Sequence, residues 1–191
     1  MSRSRLTPER EAELFDAVLD LLREVGYDSL TMDAVAARTR ASKATLYRQW
    51  HNKPELVTAA LRHHSGPGAD RVDTGSLRGD FQEMMLRVDD CQLEKDSALM
   101  RGLTLAVNTN PDLLRVLQEK LIEPEQNELR VVIDRAVARG EVRTDNPARE
   151  FVPHMLFGAF FALQMIEDRV PNRDFLTRYI DAVVLPALEA R

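Results

Sequence analysis

Between residues 38 and 53 stand Arg38, Arg40, Lys43, Arg48 and Lys53, with no acidic residue among them. Cationic side chains at this density make a local field suited to phosphate oxygens. Interleaved with them are Ser42, Ala44, Thr45, Tyr47 and Gln49. Lys and Arg can donate to guanine O6 and N7, Gln can pair with adenine, and Ala or the Thr methyl can meet a thymine methyl. Tyr47 can donate its hydroxyl to a phosphate, as can the amides beside Lys53. The plainer reading is a basic, solvated face on an ordinary helix. Elsewhere the chain offers little reactive chemistry. His63 and His64 are adjacent and point different ways on a helix, and with only His51 and His154 besides, no metal-ligand spacing exists. Cys91 has Asp89, Asp90 and Glu94 for neighbours, nothing that would lower a thiol pKa, so it reads as inert. There is no glycine-rich phosphate loop, no G-x-S-x-G and no H-E-x-x-H. The expectation is no enzyme activity, no metal and no cofactor.

The elements that would position the basic cluster read as helices. Thr7 can cap a first helix with Pro8 at its first position, and Leu14, Phe15, Val18, Leu21, Leu22 and Val25 form its apolar stripe up to Gly26. Thr31 can cap a short second helix, Arg40-Ala41 a turn, and Ser42 a third helix running to about Trp50. Two short helices joined by a tight turn, the second ringed by basic and hydroxyl side chains, describe a helix-turn-helix over residues 31–50. Ala41, Leu46 and Trp50 then face inward, and Lys43, Ala44, Thr45, Arg48 and Gln49 outward. Asn52 can cap a fourth helix.

The segment GPGADRVDTG, residues 66–75, breaks the apolar periodicity and marks a boundary. Five further helices are expected beyond it: from Ser76, from about Asp96 to Asn108, from Asn110-Pro111 with a break or kink at Pro124, from Asn146-Pro147, and from Asn172 or Asp174. The fold class is all-α with about nine helices, a DNA-binding head over residues 1–64 and a larger helical domain over residues 75–191.

Charge divides along the same line. Residues 1–64 carry ten Lys and Arg against nine Asp and Glu, whereas residues 65–191 carry sixteen against twenty-two. The net charge of −5 therefore hides a neutral-to-basic head. With 44% hydrophobic and 30% charged residues in 191, the chain can fill a globular core. One cysteine rules out an internal disulfide and fits a reducing cytoplasm. The start, MSRSRLTPEREAEL, has no apolar run of a signal peptide, and Met155 to Ile166 is too short to span a bilayer. The expected location is cytoplasmic, with no membrane partner.

At residues 31–57, TMDAVAARTRASKATLYRQWHNKPELV, the chain resembles the TetR (tetracycline-repressor-like) family of transcriptional regulators. The likeness rests on Ala41, Ser42, Leu46, Tyr47, Trp50 and Lys53, and extends more loosely to DRAVARGEV at residues 134–142. It implies an N-terminal three-helix head and a C-terminal ligand-binding and dimerisation domain. By resemblance, Tyr47 and Lys53 contact phosphates, Thr31 caps its helix toward the DNA backbone, and Lys43, Ala44, Thr45, Arg48 and Gln49 face bases, with Arg40 and Ser42 beside them. One departure is Arg40, where the family usually has Gly. Either this residue is forced toward positive φ at roughly 1 kcal/mol, or the turn is built differently and Arg40 gains a phosphate contact.

The resemblance further implies a homodimer through the last two helices, with Phe160, Gln164, Tyr179 and Val183 at the interface, and a pseudo-palindromic operator on double-stranded DNA. It implies a lipophilic small-molecule effector as well. Met84, Met85, Val88, Met100, Leu103, Thr104, Val107, His154, Phe157 and Phe161 could line its pocket, with Leu99 and Phe160 nearby. Apolar residues at helical spacing are also what a plain core looks like. The expected function is thus a sequence-specific regulator, a repressor released by its effector. The alternative is a helical ligand-binding or interaction protein with only non-specific DNA affinity.

Overall fold

The computed structural model describes residues 7–65 and 68–189, and every regular element among them is helical. Met1–Leu6 of the N-terminal stretch, and Gly66 and Pro67 of the expected boundary, lie outside the described residues. The elements are α1 (Pro8–Ser29), α2 (Met32–Thr39), α3 (Lys43–Gln49), α4 (Lys53–His64), α5 (Leu77–Leu86), α6 (Asp90–Val107), α7 (Pro111–Leu117), α8 (Glu123–Ala138), α9 (Val152–Glu167), α10 (Arg173–Tyr179) and α11 (Leu185–Glu189). No helix among the described residues is long and apolar enough to cross a membrane.

Polar side chains start most of these helices by accepting an otherwise orphaned amide. Thr7 accepts from Arg10 N, Thr31 from Ala34 N, Ser42 from Thr45 N, Asn52 from Glu55 N, Ser76 from Gly79 N and Asn172 from Phe175 N. Helix α6 starts six residues before the expected Asp96, because Asp89 takes the Gln92 amide at 2.8 Å and opens the first turn. Asn146-Pro147 begins a short 3-10 turn, Pro147–Phe151, rather than α9 itself. Gly26 also differs from a simple helix end. At φ 74° and ψ 169° it lies outside the left-handed helical well, and the chain kinks there before a further turn.

Pro124 does not break its helix. A π-turn over Gln118–Ile122 joins α7 to α8, and another over Ile180–Val184 joins α10 to α11. Each ends two residues before a proline, Pro124 or Pro186. A proline cannot donate to the carbonyl four residues back and its ring crowds that carbonyl, so widening the preceding turn keeps the rod continuous.

The chain forms two compact units, Met1–Gly66 with Ala98–Pro124, and Pro67–Ser97 with Glu125–Arg191. The first is built on a cluster that includes Phe15, Val18, Val35, Leu46, Leu56 and Leu113. Residues 98–124 are part of this core, through Leu99, Leu103, Ala106, Leu117 and Leu121. The second packs Leu77, Phe81, Val132, Val152, Val184 and Leu188 together. In it Asp80 is wholly buried, accepting from Thr74 N at 2.6 Å, Thr74 Oγ1 at 2.8 Å and Arg139 Nη2 at 3.3 Å.

Candidate nucleic-acid interface

Helix α2 turns Met32 and Val35 into the core and ends at Thr39, whose hydroxyl donates to the Val35 carbonyl at 2.8 Å. Arg40 follows at φ 52° and ψ 30°, and the Ala41 amide reaches back to the Ala36 carbonyl at 3.1 Å. That bond pattern is how a left-handed residue closes a helix. Arg40 therefore takes the positive-φ conformation instead of rebuilding the turn. Ser42 then resumes an extended backbone and caps α3, its Oγ 2.9 Å from Thr45 Oγ1.

The pitch of α3 is fixed from below. Leu46 is fully buried, Ala41 packs partly against the same core, and the Trp50 ring meets Phe15 edge-on with centroids 5.4 Å apart. Lys43, Ala44, Tyr47 and Arg48 are consequently exposed, and Thr45 is half-covered. Gln49 departs from the outward group: it is partly covered, and its amide oxygen is buried without a hydrogen-bond partner among the described residues.

The basic cluster is sorted by acids that lie outside it in sequence. Arg38 pairs with Glu24 of α1 at 2.6 Å, and Lys43 with Asp33 of α2 at 2.5 Å. Arg38 and Glu24 reinforce each other's charged states, so the arginine pKa rises and the glutamate pKa falls. Lys53 bends inward. Its ammonium donates to the Tyr27 carbonyl at 2.8 Å and sits 4.2 Å above the Tyr27 ring centroid, and this burial pulls its pKa down. The α4 amides beside it carry the positive end of the helix.

Arg40 and Arg48 share a cleft with Arg10, a residue that the sequence motifs did not single out. The cleft, of about 390 Å³, lies among Arg10, Thr39, Arg40, Ser42, Thr45 and Arg48. Arg10 Nη2 donates to the Thr39 carbonyl at 2.6 Å, tying the first turn of α1 to the last of α2. No sequence signal announces a bond spanning 29 positions.

The residues expected around an effector are divided between the units. Met100, Leu103, Thr104 and Val107 belong to the first, where Leu103 is buried core and the Thr104 hydroxyl donates to its own helix at the Met100 carbonyl. Met84, Met85, Val88, His154, Phe157 and Phe161 belong to the second, and Met84 and Met85 pack against its core. His154 is exposed, with its ring 6.0 Å from that of Phe151, and lines a cleft of about 350 Å³ with Leu129, Arg130, Ile133, Asp134 and Arg149. Of the expected interface residues, Val183 is exposed, while Phe160, Gln164 and Tyr179 are partly covered. Phe160 meets Phe161 edge-on and Tyr179 stacks on Phe175. Helix α9 leaves Phe157, Met165 and Ile166 exposed, the last two at 87% and 79%.

Comparison with known proteins agrees with this head. Residues 14–60 match the family of bacterial regulatory proteins, tetR family, and residues 71–183 match the tetracyclin repressor-like C-terminal domain. The chain belongs to the TetR family. It is a helix-turn-helix transcriptional regulator. An uncharacterized HTH-type transcriptional regulator of Mycobacterium tuberculosis is 36% identical over 182 residues, covering 94% of this chain and 88% of that one. The DNA-binding transcriptional repressor TetR of Mycobacteroides abscessus is 36% identical over 137 residues, covering 71% and 72%. A solved regulator from Mesorhizobium loti shares the fold with a TM-score of 0.70, at 22% identity and 98% coverage of both chains.

Proposed function

We propose that this regulator is a homodimeric repressor that places one α3 helix in each half of a pseudo-palindromic operator and leaves DNA when a lipophilic effector binds. The observation that carries the reading is the division of α3. Leu46 and the following Trp50 are locked into the core, so Ala44 and its exposed neighbours are presented at a fixed pitch. Such a helix enters the major groove N-terminal end first, and Lys43, Ala44 and Thr45 lead. Tyr47, 49% exposed, and the α4 amides then hold phosphates. Lys53 supports those amides from within, through the Tyr27 carbonyl and ring.

The exposed Phe157, Met165 and Ile166 on α9 support dimerisation, since large apolar groups on one helix favour a covering partner. A second copy would bring a second head, and two heads suit half-sites about 34–36 Å apart. An effector releases such a dimer only through its differential affinity for the conformation that fits DNA poorly.

Selection from a random duplex pool at roughly physiological salt tests the DNA reading, because electrostatic binding is moderated there. A pseudo-palindrome is the expected product. Failure to enrich any sequence, from folded and ligand-free protein, points instead to a ligand-binding or interaction protein with non-specific DNA affinity.

A further inference from the structure

We propose that the cleft at the helix-turn-helix corner binds one backbone phosphate of the DNA, that Arg40 and Arg48 hold it, and that Arg10 positions them. The proposal rests on the DNA-binding reading and changes the role of Arg48 within it.

The chemistry of the walls points to an anion. Arg10, Arg40, Arg48, Ser42 and Thr45 line the cleft together with Leu14, Thr39 and Ala41, and among the described residues no carboxylate does. Guanidinium donors are matched to phosphate oxygens in charge and in planar geometry. Glu13, one turn along α1, is held by the Arg10 guanidinium at 2.6 Å.

Arg40 stands at φ 52°, where a glycine would be relaxed. A strained residue at a surface corner is an observation from which a role can be inferred. What its side chain adds is a cation lining the cleft.

The register of α3 separates two edges of the helix. Ser42, Thr45 and Arg48 follow one another at intervals of three, so they lie along one edge of the helix, and all three line the cleft. Lys43 and Tyr47 occupy the opposite edge, with Lys43 turned to Asp33. Arg48 thus belongs to the phosphate-facing edge, not to the residues that read bases. Arg10, through the Thr39 carbonyl, ties α1 to the end of α2 beside the same cleft. The occupant is a DNA phosphate in preference to a free anion, because the cleft adjoins the exposed face of α3, along which a duplex would lie.

The test uses the full-length chain, with a selected duplex and a random duplex of the same length, and affinity measured across a range of salt. Arg40→Gly removes the guanidinium while relaxing the turn. The expected result is an unchanged or raised Tm, an equal fall in affinity on both duplexes of about tenfold, and a salt slope shallower by about 0.9 for each head bound, the value for one phosphate that is no longer neutralised. Arg48→Ala gives the same pattern and leaves the selected sequence unaltered. Arg10→Ala, which removes the bond to the Thr39 carbonyl, weakens both duplexes, and Arg10→Gln, which keeps a donor for it, restores the affinity.

Unchanged affinity and slope in Arg40→Gly and Arg48→Ala would overturn the proposal. A new preferred sequence for Arg48→Ala would return that residue to base reading and overturn its assignment here. A fall in Tm for Arg40→Gly would make Arg40 a support of the turn, which also overturns it. Absence of any DNA binding by the unaltered chain is a separate result, and it sinks the function reading itself.

Discussion

The Lys53 ammonium is held between two parts of Tyr27, its carbonyl oxygen at 2.8 Å and its ring at 4.2 Å. The start of α4 is thereby fastened to the turn that follows the kink in α1, 26 residues earlier. A lysine that would otherwise reach for phosphate acts as an internal fastening.

Lys53→Met separates those roles. It keeps most of the stem and removes one charge-assisted hydrogen bond and one cation–π interaction, together worth about 1–2 kcal/mol at a partly covered site. Thermal unfolding of the variant is expected to show that loss. A Tm equal to wild type, with DNA affinity reduced, would instead make Lys53 a direct phosphate ligand.

Tyr27 itself carries a pH signature. Burial, then the carboxylates of Asp28 and Asp112, push its phenol up to about 12. The folded chain holds this proton more tightly than the unfolded chain does, so the stabilisation is complete below the ordinary tyrosine range. It is lost as pH climbs through the folded value. Phenolate absorbance followed against pH should show a late step that Tyr27→Phe abolishes. If the late step survives in that variant, it belongs to another tyrosine.

Glu55 gives the acid-side counterpart. The Lys120 ammonium, 3.1 Å away, is the main cause holding its carboxyl below the usual range, helped by hydrogen bonds from the His51 backbone and ring. Stability from this group is present above the ordinary glutamate range and fades as pH falls through the folded value. Lys120→Met should flatten that acid limb. A double-mutant cycle with Glu55→Gln should return a coupling of less than about 1 kcal/mol, since both ends remain partly wet. Identical acid limbs in wild type and Lys120→Met would remove Lys120 as the cause.

Asp80 is the strongest single test of the second unit. Asp80→Ala strands the Thr74 amide, leaves the Thr74 hydroxyl only the Ser76 carbonyl at 3.3 Å, and takes one partner from Arg139. Removing a wholly buried acceptor from these partly covered donors costs about 1–2 kcal/mol. Asp80→Asn, which keeps an acceptor, should lose less. Equal Tm values for both variants would mean that the pocket rehydrates and the acceptor is dispensable.

Local chemistry is legible in the sequence. The capping hydroxyls and amides of Thr7, Thr31, Ser42, Asn52 and Asn172 act within three residues, so a short window of the chain contains both partners. The inward turn of Leu46 and Trp50 follows from helical spacing for the same reason. What the sequence conceals joins distant positions. Arg10 meets Thr39, Lys53 meets Tyr27, and Lys43 meets Asp33, and the partners are chosen by the packing of α1 on α2, α1 on α4 and α2 on α3. The five bases of residues 38–53 look uncompensated in sequence because Glu24 and Asp33 lie outside that window. The π-turns are equally hidden: Pro124 announces a disturbance, and only the continuous rod shows that widening absorbs it.

Gly26 and Arg40 both have positive φ, yet they constrain the chain differently. Arg40 sits in the left-handed well that side chains can enter at modest cost, whereas Gly26, with ψ near 169°, lies where essentially only glycine goes. A Cβ built at Gly26 would meet nothing within 4 Å. Position 26 is therefore a filter on handedness, indifferent to size: alanine, serine and leucine should all be penalised by a similar 1–3 kcal/mol or so, and no shaving of side-chain volume would recover it.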